Sequence, residues 1–321
     1  MTLPISQQKS IESQEKAARQ AQKKSAAAKR ENVSGYLFLL PWLLGLFLLT
    51  IGPILASLYL SFTRFDLLSA PQWIGLQNYL TLPGDPRFLT ALQVTFSYVF
   101  LSVPLKLVFA LLLALVLNKG VRGLAIYRAI FYIPSLLGGS VAIAILWRQM
   151  FGPGSIAEQL ASLFGVQHAG TWILHPRQAL LTLVALALWQ FGSPMIIFLA
   201  GLRQIPRELY EAAAVDGAGP LRTFFHITMP MLTPLIFFNM ILQMIAAFQA
   251  FTPAFILSGG TGGVLDSSLF YTLYIYLEGF GNFRMGYASA MAWILLLLIA
   301  LFTGIAFLTS RHWVFYQDEQ H

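Results

Sequence analysis

From residue 36 onward the chain alternates long apolar runs with short polar punctuation. Six runs are each long enough to cross a hydrocarbon core of about 30 Å, which takes about 20 helical residues. They cover about Tyr36–Thr63, Phe88–Leu117, Ala125–Phe151, Gln178–Ala200, Met229–Leu257 and Gly286–Ser310. The pattern predicts an all-α integral membrane protein, with six transmembrane helices over residues 35–310. A polar, basic tail (1–34) precedes them and a short tail (311–321) follows. The first tail has no apolar stretch after a brief basic start, so it is not a signal peptide. It is expected to be solvated, with at most a minor role in partner contact or anionic-lipid attraction.

Composition agrees with a membrane environment. Apolar residues make up 57% of the chain and charged residues 10%, against about 25% charged in a soluble domain. The net charge of +7 does not point to nucleic acid, because the cations lie in a tail and short loops. It bears instead on orientation. With a cytoplasmic N-terminus, the tail cations, Lys119, Arg122, Arg128, Arg203, Arg207, Arg222 and Arg311 lie inside. Arg64, Arg87, Arg148, Arg177 and Arg284 lie outside. Both termini and the loop 201–230 are therefore expected on the cytoplasmic side.

That loop, GLRQIPRELYEAAAVDGAGPLRTFFHITMP, carries charge between two very apolar runs. Pro206 suits a helix start, Glu208–Ala214 are mostly good helix formers, and Asp216-Gly217 offers a left-handed closing turn. Pro220 can open a second helical turn, and Pro230 stands where the next run begins. Glu211-Ala212-Ala213, then Gly217, Ile227, Met229 and Pro230, resembles the EAA motif of ABC importer permeases, E-A-A-x3-G-x9-I-x-L-P. Met229 in place of Leu is the one departure, a mild apolar swap. In that family the segment is a coupling helix docked on the ATP-hydrolysing subunit. The resemblance extends over nearly everything after residue 35 and is closest to the first, larger permease of carbohydrate importers. It implies the fold of a type I ABC importer permease. It also implies a second similar permease, a pair of ATPase subunits and an external solute-binding protein as partners. A carbohydrate substrate and a place in the inner or plasma membrane of a prokaryote follow from the same resemblance. ATP and Mg are then expected on the ATPase, with no cofactor in this chain.

The chemistry that is missing narrows the alternatives. No Asp or Glu falls inside an expected span, and all 5 histidines lie in loops or tails. Ion-coupled transporters usually need such groups or coordinating oxygens. There is no cysteine, no clustered metal-ligand set and no phosphate-binding GxxxxGK[ST] loop, so the chain is not expected to be an enzyme. A channel or ion-coupled secondary transporter with a chance loop match is the alternative reading.

Candidates for a solute path are few. Lys106 is the one charge deep in a span, where an intramembrane cation suggests function but can also snorkel toward water. Asn239, Gln243, Gln249 and Thr252 are polar positions of the fifth run, and Asn239 and Gln243 share a helix face. The family resemblance points to the second half of this run, nearest Gln249 and Thr252. Hydrogen bonding to a neighbouring helix is the other use open to such residues. Trp189, Gln190, Ser193 and Pro194 predict a kink in the fourth run, with the same two uses.

Overall fold

This computed structural model describes residues 38–120, 123–163 and 172–315. The tail 1–34, Arg122 and the residues after Phe315 lie outside them. The chain falls into two compact units, parted between Tyr59 and Leu60. The first holds most of α1 (Phe38–Ser61). Pro53 has no N–H to give the preceding turn. The helix widens there into a π turn over Leu46–Ile51, closed by the Gly52 N–H donating to the Phe47 carbonyl.

The second unit opens with a short antiparallel pair, β1 (Thr63–Arg64) and β2 (Gln72–Trp73), then α2 (Gln77–Thr81). The Asn78 amide donates to the carbonyls of Ser61 and Thr63, both at 2.9 Å, and fixes the base of this hairpin. Helix α3 (Pro86–Asn118) follows. Phe88, Ala91, Thr95, Tyr98, Ser102, Val103, Leu107, Ala110, Ala114 and Leu117 make its buried side, mostly at three- or four-residue steps, whereas Leu101, Leu105, Val108, Leu112 and Val116 are exposed. Ala91, Thr95, Ser102, Ala110 and Ala114 are the small positions that let neighbouring helices approach.

The expected third span, Ala125–Phe151, is not one helix. It divides into α4 (Leu124–Leu137) and α5 (Val141–Phe151), bent by 93°. Gly138 and Gly139 weaken the helix at the bend, and Ser140 caps α5 by accepting the Ile143 N–H. An amphipathic α6 (Ile156–Leu163) comes next. The fourth span bends by 43° between α7 (Pro176–Trp189) and α8 (Gly192–Gln204), at the expected kink.

The fifth span also departs from expectation. Helix α9 (Arg207–Val215) forms first. The span then begins at α10 (Pro220–Thr223), well before Met229, and passes through a π turn into α11 (Met229–Phe248). Pro230 has no N–H for the turn before it, and a widened turn accommodates the loss. After a break at Gln249–Phe251, α12 (Thr252–Leu257) resumes.

Helix α13 (Tyr271–Tyr276) was not legible as an element. It is deeply buried, with its Tyr271 N–H donating to Thr95 Oγ1 at 2.8 Å and its hydroxyl to the Met291 carbonyl at 3.0 Å. The last helix is α14 (Met285–Ser310). Its first turns, Gly286–Ala290, are buried, as small residues at a close helix contact should be. A Cβ on Gly286 would lie 2.1 Å from the Thr63 carbonyl oxygen. Among the described residues, four helices are long and apolar enough to cross a membrane, or up to six if each bent pair is one span.

Candidate functional site

The breaks in the helices meet. Ser135, just before the α4–α5 bend, donates to the Gln190 carbonyl at 2.9 Å and accepts the Ser193 N–H at 3.0 Å. Gln190, at the α7–α8 bend, donates through Nε2 to the carbonyls of Gly138 and Leu186, both at 3.2 Å. Each bend thus satisfies backbone groups that the other sets free, as buried backbone requires. The approach is close: a Cβ on Gly138 would sit 2.2 Å from Gln190 Cγ, and one on Gly192 2.3 Å from the Phe131 carbonyl. The break after α11 is tied to the following segment by Thr272, whose hydroxyl donates to the Ala250 carbonyl.

All three breaks line one cavity of about 220 Å³. Gly138 and Gly139 come from the first break, Gln190 from the second, Ala250 and Phe251 from the third. Helix α3 adds Tyr98, Ser102 and Lys106, and the fifth span adds Gln243 and Thr252. Non-helical backbone at membrane depth is tolerated where it is buried in protein or lines a wet cavity, and discontinuous helices commonly build solute sites.

Three of the candidates, Lys106, Gln243 and Thr252, are therefore brought together. The other two are elsewhere. Asn239 is 1% exposed, does not line this cavity, and bonds back through Nδ2 to the Leu235 carbonyl at 3.0 Å. Gln249 lies in an apolar groove against α14, with Leu295, Ile299 and Thr303. Tyr98 and Phe251 had no polar signal to single them out as cavity residues.

The loop between α8 and α11 is a built surface rather than a slack connection. Gly217 has φ +70°. The Ala218 N–H donates to the Ala213 carbonyl at 2.9 Å and the Gly217 N–H to the Ala214 carbonyl at 3.1 Å, a complete Schellman stop. Tyr210 and Thr228 hydroxyls meet at 3.1 Å and join α9 to the foot of α11. Tyr210 and Ile227 pack on the core. Of the three alanines, Ala213 is buried and Ala212 and Ala214 are exposed beside Glu211. Apolar Val215, Leu221 and Phe225 are 89%, 75% and 61% exposed, a feature that motif reading alone missed. Gly217 is exposed too, with nothing within 4 Å of where a Cβ would stand, and Pro230 lies in the first turn of α11.

At the opposite end of these helices, charges are matched. Asp85 caps α3 by accepting the N–H groups of Arg87 and Phe88, and also accepts the hydroxyls of Tyr274 and Tyr287. Partial burial pushes this carboxyl up, but the four donors outweigh it and hold it below the usual aspartate range. Arg87 donates to both oxygens of Asp266, at 2.9 and 2.7 Å. Glu278, 3% exposed, accepts from Asn282 and Arg284, both at 2.9 Å. No group of three or more His, Cys, Asp or Glu capable of holding a metal occurs among the described residues.

Comparison with known proteins gives a consistent picture. A family model described as a binding-protein-dependent transport system inner membrane component matches residues 84–313. The probable ABC transporter permease protein YesP of Bacillus subtilis (strain 168) is 49% identical over 301 residues, 94% of this chain and 97% of that one. The arabinooligosaccharides transport system permease protein AraP of the same organism is 33% identical over 276 residues, 84% of this chain and 86% of AraP. A crystal structure of a bacterial alginate ABC transporter, in complex with an alginate pentasaccharide-bound periplasmic protein, has a chain with a TM-score of 0.77 at 21% identity. The match covers 88% of this chain and 95% of that one.

Proposed function

The chain belongs to the family of binding-protein-dependent transport system inner membrane components, and from that premise we propose that it is one permease subunit of an ATP-driven sugar importer. The observation that carries the proposal is the loop 201–230. Its EAA residues sit on a short helix stopped by Gly217 and anchored by Tyr210, and the loop leaves apolar Val215, Leu221 and Phe225 exposed. An ATPase subunit of complementary apolar surface, with a cation for Glu211, fits such a loop. The loop and both termini then face the cytoplasm of a prokaryote, in agreement with the Lys/Arg bias. A second permease completes the membrane part, two ATPase subunits hold ATP and Mg, and an external binding protein delivers the solute. Closure of the ATPase pair moves the anchored loop as a rigid body and rocks the spans about the cavity. Carbohydrate as the solute class follows the arabinooligosaccharide relative, and the polar cavity beside Tyr98 and Phe251 suits a hydroxylated molecule.

The test is a mild-detergent purification of the tagged chain from its native membrane, with mass spectrometry of what accompanies it. An ATPase and a second permease in a ratio of about 2:1, as a dimeric motor requires, supports the proposal. The chain alone, or only copies of itself, contradicts it. Gly217→Arg strains the left-handed turn that stops α9 but lies in an exposed loop outside the spans, so it should leave membrane insertion intact yet reduce ATPase recovery by about tenfold or more, the scale of a lost contact of ~1.4 kcal/mol.

A further inference from the structure

The cavity at the three breaks holds an unpaired cation. Lys106 stands 20 residues after Pro86 in α3, about 30 Å along the helix at 1.5 Å per residue. It has no hydrogen-bond or ion-pair partner among the described residues, and no Asp or Glu lines the cavity with it. Its neighbours there are neutral: Ser102, Gln190, Gln243, Thr252 and the ring of Tyr98. Gln190 already spends its amide N–H groups on Gly138 and Leu186. A charge at this depth costs free energy unless something neutralises it. No described residue supplies that counter-charge.

We propose that the counter-charge is the solute's own, and that the cavity selects a sugar unit bearing an anionic group, carboxylate or phosphate, which Lys106 binds. The size fits one such unit. A volume of about 220 Å³, about seven times the ~30 Å³ share of one water, accommodates a single sugar unit. A longer acidic chain would be read one unit at a time. The partly exposed amide of Gln243 and hydroxyl of Thr252 meet sugar hydroxyls, and Phe251 offers part of its ring. Lysine supplies a point charge rather than a planar fork, so it accepts carboxylate and phosphate alike. The proposal rests on the importer reading, so its test begins from the purified permease–ATPase complex, whose recovery already decides that reading.

The complex is placed in nanodiscs without its binding protein, which removes that protein's own selectivity. Binding is measured for D-galacturonate, D-glucuronate, glucose 6-phosphate and glucose. The wild-type complex should bind at least one of the anionic probes about tenfold or more tighter than glucose, the worth of a charge-assisted bond. Uronate preference assigns a carboxylate, and glucose 6-phosphate preference a phosphate. Lys106→Gln should abolish the preference, weakening the anionic probe by about tenfold or more without lowering the melting temperature of the unliganded complex, and Lys106→Arg should retain it. Because the chain has no cysteine, Lys106→Cys treated with aminoethyl methanethiosulfonate should regain the preference. The negatively charged sulfonatoethyl reagent should not restore it, and identically treated wild type is the control. Equal binding of all probes, or a preference that survives in Lys106→Gln, overturns the proposal. So does a Lys106→Gln complex that falls apart without ligand, which would place the counter-charge on the second permease.

Discussion

The cluster around Asp85 and the cavity around Lys106 treat charge in opposite ways. In the cluster every charge has a partner from this chain: Asp85 takes four donors, Asp266 binds Arg87, and Glu278 binds Arg284. These bonds join the start of α3 to α13 and α14. In the cavity the one cation faces only neutral groups. Both regions use α3. Paired charge holds helices in place and has nothing left to offer a solute. Unpaired charge at membrane depth adds no such tie, and it makes sense where a transported molecule completes it.

Substitutions should separate the two roles, and the largest effect on stability belongs to Asp85. Asp85→Ala removes a helix cap worth about 1 kcal/mol and leaves two tyrosine hydroxyls short of an acceptor, a further cost of about 1 kcal/mol. A loss of about 2 kcal/mol should appear as a lower melting temperature, with solute preference in the cavity unchanged. Unchanged melting would remove the structural role assigned to the cluster.

A pH profile sharpens the same point. The folded-state pKa of Asp85 lies below its unfolded value of about 3.9. Its contribution is therefore complete above the unfolded value and disappears as pH falls through the folded one. Thermal melts taken from about pH 7 downward through the unfolded value of about 3.9 should show an acid-side loss that is smaller in Asp85→Asn. The smallest effect is expected for Arg87 and Asp266, whose side chains are 43% and 26% exposed. A double-mutant cycle should give a coupling of about 1 kcal/mol or less, weakening with salt. A coupling above that of Asp85 would reverse the ranking.

The sequence carried the spans, the kink at Gln190 and the form of the loop, because each has a local signature. Hydrophobic runs mark the spans and Gly217 closes α9, whereas Pro230 stands in a span already under way from Pro220. The 93° bend at Gly138 was not legible, since an apolar run records burial and not direction. Short elements such as α13 show no period. Asn239 and Gln243 share a face by spacing, yet only Gln243 lines the cavity. Which turn of one face is covered depends on neighbouring helices, not on the helix itself. The exposed Val215, Leu221 and Phe225 became meaningful only once the loop's own packing was visible.

If the cavity at the three breaks lies on the solute path of an ATP-driven importer, its walls must be reachable from each side of the membrane in turn. Gln243→Cys tests this directly, since no native cysteine competes within the chain. The complete complex is reconstituted in liposomes and exposed to a membrane-impermeant thiol reagent from one side at a time, with and without ATP and loaded binding protein. The introduced thiol should be labelled, and the side from which it is reached should switch when the ATPase pair closes. A thiol that never reacts, or that reacts from the same side in both states, would contradict a solute path through this cavity.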